Sequence, residues 1–214
     1  NAKQIEIKKE TKEVISNPIY SESSIYFSSP KEVDDFLNYK GYIYGSELVI
    51  SGYDINQERI RAIIKKHRPV TFRFINCDLT TIQYFQEIGV FSTFEFKDCN
   101  ISTLNKDLQE LLENKNVFGL SIEQSTSVDN LNLLTNYENL TSLKLKLSLK
   151  EFPNFVTNMQ QLESLDLSEN MISKIPTEIE LLSNLENLTL NDNVITEIPA
   201  EITNINKLKS LIID

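Results

Sequence analysis

The stretch Leu162-Glu-Ser-Leu165-Asp-Leu167-Ser-Glu-Asn170-Met-Ile172-Ser-Lys-Ile175-Pro176-Thr-Glu-Ile179 recurs almost position by position 23 residues later, as Leu185-Glu-Asn-Leu188-Thr-Leu190-Asn-Asp-Asn193-Val-Ile195-Thr-Glu-Ile198-Pro199-Ala-Glu-Ile202. A third copy opens at Leu208. A fixed step of this length is typical of repeat proteins, in which each unit buries its apolar face only against its neighbours. We therefore predict a solenoid with one continuous core.

Weaker copies of this unit extend towards the N-terminus, with other apolar residues in place of Leu. The second apolar strand position can be followed through nine copies, in steps of 22 to 26 residues. Its members are Phe27, Ile50, Phe74, Phe96, Ile122, Leu145, Leu167, Leu190 and Ile213. Alternation along a strand turns both apolar positions of each unit inward. We predict that the nine residues lie on adjacent rungs of one parallel sheet.

The connections between the strands change along the chain. Ser29-Pro30-Lys31-Glu32 has the form of a capping box with Pro at the first helical position, and Gly41 is a plausible end for this helix. Ile60, Ile63 and Ile64 indicate a second amphipathic helix. The later Ile-Pro-x-x-Ile segments are short enough for a 3₁₀ turn or extended chain.

The Leu-x-x-Leu-x-Leu-x-x-Asn pattern of residues 162–170, the Ile-Pro-x-x-Ile segments and the 23-residue step resemble the leucine-rich repeat family, most closely its bacterial and Ras-group-like types. The resemblance implies an α/β fold: a right-handed solenoid with a curved parallel sheet on its concave face and short helices or 3₁₀ turns on its convex face. We assign residues 1–44 to an N-terminal cap or degenerate first repeat. Residues 45–214 form the repeat domain, with about seven to eight repeats of which the last is incomplete.

The net charge of −10 is concentrated in the second half of the chain. Residues 116–214 hold 6 Lys/Arg against 14 Asp/Glu, a balance of −8, and the preceding residues balance at −2. A nucleic-acid backbone would meet like charge there, so we expect no nucleic-acid partner. No run of about 18 apolar residues occurs, so we expect no integral membrane segment. The chain starts with Asn, which leaves a removed secretion signal open.

Two cysteines, Cys77 and Cys99, occupy the Asn position of consecutive units. We expect two free buried thiols, because Cys packs as a small buried group. A disulfide between them stays open as the alternative, since stacked positions lie near bridging distance. Two thiols and His67, the only histidine, do not supply a zinc site. We expect no metal and no cofactor.

The sequence lacks the motifs of common catalytic sites. It contains no Gly-x-Ser-x-Gly elbow, no phosphate-binding glycine loop and no His-Glu-x-x-His motif. His67 follows a predicted helix within a basic run, where it suits the helix dipole. A site built on paired carboxylates is left open by spacing alone. We predict that the protein is not an enzyme.

The outward residues of the predicted sheet are the best candidates for a binding surface. They are polar and mixed in charge, and no aromatic residue occurs among the 24 outward positions of the second to ninth strands. Because tight interfaces are rich in Tyr and Trp, a weak or charge-steered contact with another protein is favoured. The candidate binding residues are Arg73, Glu95, Lys97, Glu123, Lys144, Lys146, Asp166, Asn187, Thr189 and Asn191. A second candidate is a basic cluster for an anionic partner, formed by Arg59, Arg61, Lys65, Lys66, Arg68 and Arg73.

These observations favour a non-enzymatic scaffold that binds another protein, and a host or cell-surface protein is among the partners that we expect. We expect it to be secreted by a bacterium or held on its surface, with the cytoplasm as the alternative. A second hypothesis is a recognition or regulatory module of a larger effector or enzyme, because the sequence breaks off inside a strand at Asp214. The same open end suggests self-association through the last repeat.

Overall fold

The computed structural model describes residues 24–38, 47–52, 57–66, 70–77, 92–99, 109–110, 112–113, 115–123 and 130–214. In this part of the chain, nine strands form one sheet whose order follows the sequence, and every neighbouring pair is parallel. The strands are Ser24–Phe27 (β1), Glu47–Ser51 (β2), Thr71–Ile75 (β3), Ser92–Lys97 (β4), Val117–Glu123 (β5), Ser142–Lys146 (β6), Ser164–Asp166 (β7), Asn187–Thr189 (β8) and Ser210–Ile212 (β9). The chain thus winds as a solenoid with one strand per turn, which confirms the predicted fold class.

The strand register confirms the predicted apolar column. Phe27 pairs with Ile50, and the pairing continues rung by rung to Leu145. Strands β7 to β9 are shorter, and there the column lies one residue past the strand end. The N–H groups of Leu167 and Leu190 still donate to the next rung, at 2.9 and 2.8 Å. The first eight members of the column are at most 3% exposed, so they form the centre of the core.

Phenylalanine fills the core in β3 and β4, where later units have leucine. The rings of Phe72 and Phe94 stack at 4.7 Å with an interplanar angle of 2°, and those of Phe74 and Phe96 at 5.5 Å with 15°. These distances are near the strand spacing of about 4.8 Å, so strand pairing itself brings the rings into contact. The Phe-rich early units therefore belong to the same core as the Leu-rich later ones.

Two α-helices lie in the early connections, as predicted: Pro30–Asn38 (α1) and Gln57–Lys66 (α2). The Glu32 N–H donates to Ser29 Oγ at 3.4 Å, which is one half of the capping box. The Glu32 carboxylate accepts a bond from the Ser28 N–H at 2.6 Å, one residue earlier than the motif predicts. Gly41 and the boundary between residues 44 and 45 lie outside the described residues, so the domain division stays a prediction.

The later connections are 3₁₀ helices, one of the two forms that their length allowed. They span Leu131–Asn136, Asn154–Asn158, Thr177–Leu181 and Ala200–Asn204. Pro153, Pro176 and Pro199 directly precede the last three, with φ between −72° and −67°. Proline suits this place because its fixed φ matches the entry to a helix and its missing N–H would have no partner there.

The turn after each strand depends on one polar side chain. We call the third residue after the second apolar strand position the asparagine position; it is occupied by Asn170, Asn193, Cys77 and Cys99. Asn170 Nδ2 donates to the carbonyls of Leu145 and Leu167 at 2.7 and 2.8 Å. Its Oδ1 accepts from the N–H groups of Leu147 and Leu149 at 3.1 and 2.9 Å. One side chain therefore satisfies backbone groups of two consecutive repeats.

The two cysteines occupy the asparagine position and are buried, as predicted, at 3% and 2% exposure. Cys77 Sγ lies 3.5 Å from the Ile50 carbonyl, and Cys99 Sγ lies 3.4 Å from the Phe74 carbonyl. Both thiols thus donate towards the preceding repeat, as Asn170 does. No disulfide joins Cys77 and Cys99 in this structure.

Replacing Asn170 with Ala should lower the free energy of unfolding by about 3 kcal/mol, because four backbone groups lose a partner at a site that is 7% exposed. Asn170→Cys keeps one donor, as the cysteine units do, and should lose less. Asn193→Ala, in a more exposed copy of the same position, is the matched control and should cost about half as much. Urea unfolding of the four proteins measures the order; equal stability of Asn170→Ala and wild type would contradict this role.

Candidate protein-binding face

The outward side chains of the nine strands form one surface, which we call the concave face. Its central column, set by the strand register, is Tyr26, Val49, Arg73, Glu95, Ser121, Lys144, Asp166, Thr189 and Ile212. A parallel column two residues further along each strand contains Ser51, Ile75, Lys97, Glu123 and Lys146. The candidate binding residues are therefore side by side on one face, and their role in binding stays a prediction.

Arg73 is held between two carboxylates from the rungs on either side of it. Its Nη2 lies 3.0 Å from Glu47 Oε1 of β2, and its Nε lies 2.6 Å from Glu95 Oε2 of β4. Burial alone would lower the pKa of Arg73, but the hydrogen bond to Glu95 and the charges of both carboxylates raise it. The guanidinium is thus fixed in place and ties three strands together.

A second group of charges begins at Glu123. Lys144 Nζ lies 2.5 Å from Glu123 Oε1 and 3.9 Å from Asp166 Oδ2, so it lies between the carboxylates of β5 and β7. Burial would raise the pKa of Glu123, but the hydrogen bond from Lys144 and the nearby lysine charges lower it. Lys97 contributes to this lowering through its charge. The ionised form of Glu123 is therefore the form that the fold stabilises.

Lys146 is fixed by a residue of the following turn. Its Nζ lies 2.6 Å from Glu169 Oε1, and its side chain is 14% exposed. Burial would lower the pKa of Lys146, but the hydrogen bond to Glu169 and the surrounding carboxylates raise it. Glu169 has a φ of 54°, in the left-handed region. The turn of one repeat therefore positions a charged side chain of the previous repeat.

The candidate residues of β8 and its turn carry no charge. Asn187 is exposed, and Thr189 and Asn191 are half-buried. The Asn191 amide donates to Asp192 Oδ2 in the same turn. The concave face therefore has two parts: a charged part from β2 to β7, in which most charges are paired, and an amide- and hydroxyl-bearing part at β8.

Sequence reasoning missed the position of Tyr26 and the ion-pairing roles of Glu47 and Glu169. Tyr26 heads the central column, where alternation between the buried Ile25 and Phe27 places it outward. That alternation was sufficient to predict the outward position of Tyr26. Tyr26 adds an aromatic residue to a face that we expected to have none. Glu47 and Glu169 were missed as ion-pair partners, because their contacts depend on neighbouring rungs and on turn geometry.

The described members of the predicted basic cluster, Arg59, Lys65 and Arg73, do not share one surface. Arg59 of α2 forms a bidentate pair with Asp34 of α1, with distances of 2.9 and 3.0 Å. Arg73 points outward from β3, on the other side of the core from the helices, and is paired as described above. Lys65 is exposed on α2. The side chains of Arg61 and Lys66, and all of Arg68, lie outside the described residues.

Three features of the part of the chain that the structure describes concern metal binding, membrane spanning and ligand-sized clefts. No three side chains of His, Cys, Asp or Glu come together there as ligands for an ion. None of its helices combines the length and apolarity needed to cross a bilayer. A cleft of about 630 Å³ lies on the convex side, between Asn154 and Thr177 of consecutive 3₁₀ helices. The cleft is lined by Glu151, Lys174 and Glu178, among others. His67, the only histidine of the sequence, lies outside the described residues.

Glu123→Gln should lower the free energy of unfolding at neutral pH by about 1 kcal/mol, because Lys144 loses its closest carboxylate. Since the pKa of Glu123 is lowered by folding, its contribution is present above the ordinary glutamate pKa and is lost as pH falls through the lower folded value. The stability difference between wild type and variant should therefore vanish in acid. Exposed Glu197→Gln is the control and should show no such change; a pH-independent difference in urea midpoints for Glu123→Gln would refute the assignment.

No protein-family model and no curated protein matches the sequence. Solved structures do resemble the fold. A leucine-rich repeat protein of Leptospira interrogans superposes with a TM-score of 0.57 at 21% identity, over 85% of this chain and 44% of that one. Toll-like receptor 13, in a complex with single-stranded RNA, gives 0.55 at 15% identity, over 89% and 32%. Toll of Drosophila, in a complex with Spatzle, gives 0.52 at 18%, over 86% and 29%.

The chain thus spans less than half the length of each of these three proteins. At these identities the likeness concerns the fold. It agrees with the 23-residue sequence unit and with the single parallel sheet in which strand order follows the chain. On these grounds the fold of the protein is that of a leucine-rich repeat solenoid.

Proposed function

We propose that the protein is a non-enzymatic scaffold that binds another protein through its concave face. The observation that carries this proposal is the fixed charge arrangement of that face: Arg73 and Lys144 each lie between two carboxylates of neighbouring rungs. Side chains that are already held in place lose little conformational entropy when a partner binds. A face of this kind suits recognition better than chemistry, for which the described residues offer no nucleophile–base pair.

The charge balance of the face favours a protein over a nucleic acid. From β2 to β7, the two columns and Glu47 carry four cations and four anions, so the face has no net charge to attract phosphates. The surrounding second half of the chain is acidic. A protein surface with alternating charges can match such a pattern, and mismatched partners would be rejected by like-charge contacts. The single-stranded RNA is a feature of the Toll-like receptor 13 complex, and we do not transfer it to this protein.

The two ends of the face differ in what they offer a partner. Tyr26 of β1 and Ile75 of β3 are partly exposed apolar side chains at the first rungs, and Ile75 lies two residues past Arg73 on the same strand. Aromatic and arginine side chains are the residues that most often contribute strongly to interfaces. At β8, Asn187, Thr189 and Asn191 offer hydrogen-bonding groups. We infer that contact strength comes mainly from the first rungs and that the charged middle sets orientation and association rate.

Capture of partners from cell extracts by the intact chain tests the proposal. The binding variant reverses three charges of the face, Lys144→Glu, Lys146→Glu and Asp166→Lys. The matched control reverses two convex charges beside the cleft, Lys174→Glu and Glu178→Lys. We expect a protein that the wild type and the control capture, and that the binding variant captures at least about tenfold less. Equal capture by all three, or capture that nuclease treatment abolishes, would contradict the proposal.

The last rung favours a second candidate function, self-association. Leu211 and Ile198 are 40% and 45% exposed, although their equivalents one repeat earlier, Leu188 and Ile175, are at most 1% exposed. Exposed apolar surface beside the edge of a strand is a template for another strand. Sedimentation at several concentrations distinguishes the cases: a dimer that Leu211→Lys disrupts supports this candidate, and a monomer at every concentration opposes it.

We further propose that the protein acts outside the cytoplasm of a bacterium, secreted or attached to the surface, with the cytoplasm as the alternative. The support is the bacterial type of the repeat sequence. The alternative that the chain is a recognition or regulatory module within a larger effector or enzyme is compatible with the same concave face. Fractionation of the producing cells, followed by immunodetection, decides the location and shows the size of the natural protein.

A further inference from the structure

We propose that Cys77 and Cys99 form a modification site: an inter-repeat disulfide that closes when the chain folds under oxidising conditions and stays open under reducing ones. The two thiols are otherwise unused, since neither belongs to the concave face. The site goes beyond the proposed binding function and does not depend on it.

The backbone already holds the two cysteines at bridging distance. Register pairs Phe74 with Phe96 and Ile75 with Lys97, and the Asn76 N–H donates to the Lys97 carbonyl at 2.9 Å, so the alignment continues past the strand ends. Asn76 and Asp98 have nearly the same φ, 51° and 53°. The next residues, the cysteines, therefore lie one strand spacing apart, about 4.8 Å. This lies within the Cα–Cα range of disulfides, about 4.4 to 6.8 Å.

The side chains need only a small change to meet. Cys99 Sγ points back to the rung of Cys77, where it is 3.4 Å from the Phe74 carbonyl. Cys77 Sγ points back in the same way, to the Ile50 carbonyl at 3.5 Å. Rotation of the Cys77 side chain away from this carbonyl brings its sulfur towards Cys99. The two Cβ atoms, which the same register leaves about one strand spacing apart, must also approach by a few tenths of an ångström to reach the Cβ–Cβ range of disulfides, about 3.5 to 4.5 Å.

The bonds lost on bridging are replaceable. The thiols lie 3.4 Å from the Ile75 and Lys97 carbonyls, respectively. These two carbonyls already accept backbone bonds, from Gly52 at 2.8 Å and from Asn76 at 2.9 Å. An asparagine at the same position would leave more groups without partners, because its amide serves backbone groups on both sides. Cysteine is thus the residue that can exchange its weak bonds for a covalent one.

The chemistry needs a disulfide oxidant such as oxidised glutathione. One cysteine thiolate attacks a glutathione sulfur and releases one reduced glutathione, and the second thiolate then displaces the other. The two thiols lose two protons and two electrons as the S–S bond forms, and glutathione takes up both. Burial and the neighbouring thiol raise the pKa of Cys99, which disfavours the attacking thiolate once the repeats are closed. The redox conditions during folding therefore decide the state of the pair.

Refolding of the full chain from denaturant in equimolar reduced and oxidised glutathione tests the site. We expect most chains to be lighter by about 2 Da, to contain no alkylatable thiol, and to yield a peptide that links residues 77 and 99. The bridged protein should melt about 5 °C or more above its reduced form, because the link restricts the unfolded chain. The same oxidant added to folded reduced protein should give the same product at least about tenfold more slowly.

Cys99→Ser is the matched control and should gain neither the link nor the shift in melting temperature. Two alkylatable thiols after refolding, separate glutathione adducts on each cysteine, or covalent dimers of the wild type would each overturn the proposal. The linked peptide is read from the wild type alone, so the result stands even if the variant does not fold. None of these readouts involves a binding partner, which keeps this test separate from that of the proposed function.

Discussion

The parallel pairing of each strand with the strand one repeat earlier is the constraint on which the rest of the molecule depends. It sets a spacing of about 4.8 Å between equivalent residues of neighbouring units. At that spacing, identical positions stack: Phe72 on Phe94 and Phe74 on Phe96 in the core. The same pairing brings Arg73 within reach of Glu47 and Glu95 on the outside. Core and concave face are thus two consequences of one register.

The side chain at the asparagine position stabilises the turn that follows the strand. A short strand leaves carbonyl and N–H groups at its end that must be satisfied before the chain crosses to the convex side. Asn170 satisfies four of them with one side chain, and Asn193 repeats the arrangement. Cys77 and Cys99 do so more weakly and keep a reactive group inside the repeat stack. The same position of the repeat unit therefore stabilises the turn and, in two units, holds a thiol that can react.

Much of the fold follows from the sequence because its period is repeated. The spacing of nine apolar residues predicted every rung of the sheet, and alternation then predicted which side chains face outward. The capping signal before Pro30 predicted the first helix, and the length of the Ile-Pro segments limited the later connections to a 3₁₀ turn or extended chain. The candidate face was harder to predict. The ion pairs of Arg73 and Lys144 join residues 21 or more positions apart, and the choice of partner depends on side-chain reach.

Two further errors have the same physical origin. Grouping Arg73 with the basic residues of α2 relied on nearness in sequence, although a strand and the helix before it lie on opposite sides of the core. Glu169 was not recognised as the partner of Lys146, because its position depends on a left-handed turn. The outward position of Tyr26, by contrast, could have been predicted from the alternation of side chains along β1. The sequence of a repeat protein thus predicts which residues share a column more reliably than it predicts which side chains form ion pairs with each other.

The most direct test of this account is a solution measurement of proton–proton distances between backbones of neighbouring strands by nuclear Overhauser effects. The account predicts contacts between the register partners Phe27 and Ile50, Ile50 and Phe74, Phe96 and Ile122, and Ile122 and Leu145. Contacts between strands that are not consecutive in the chain, or a register displaced by one residue, would contradict it.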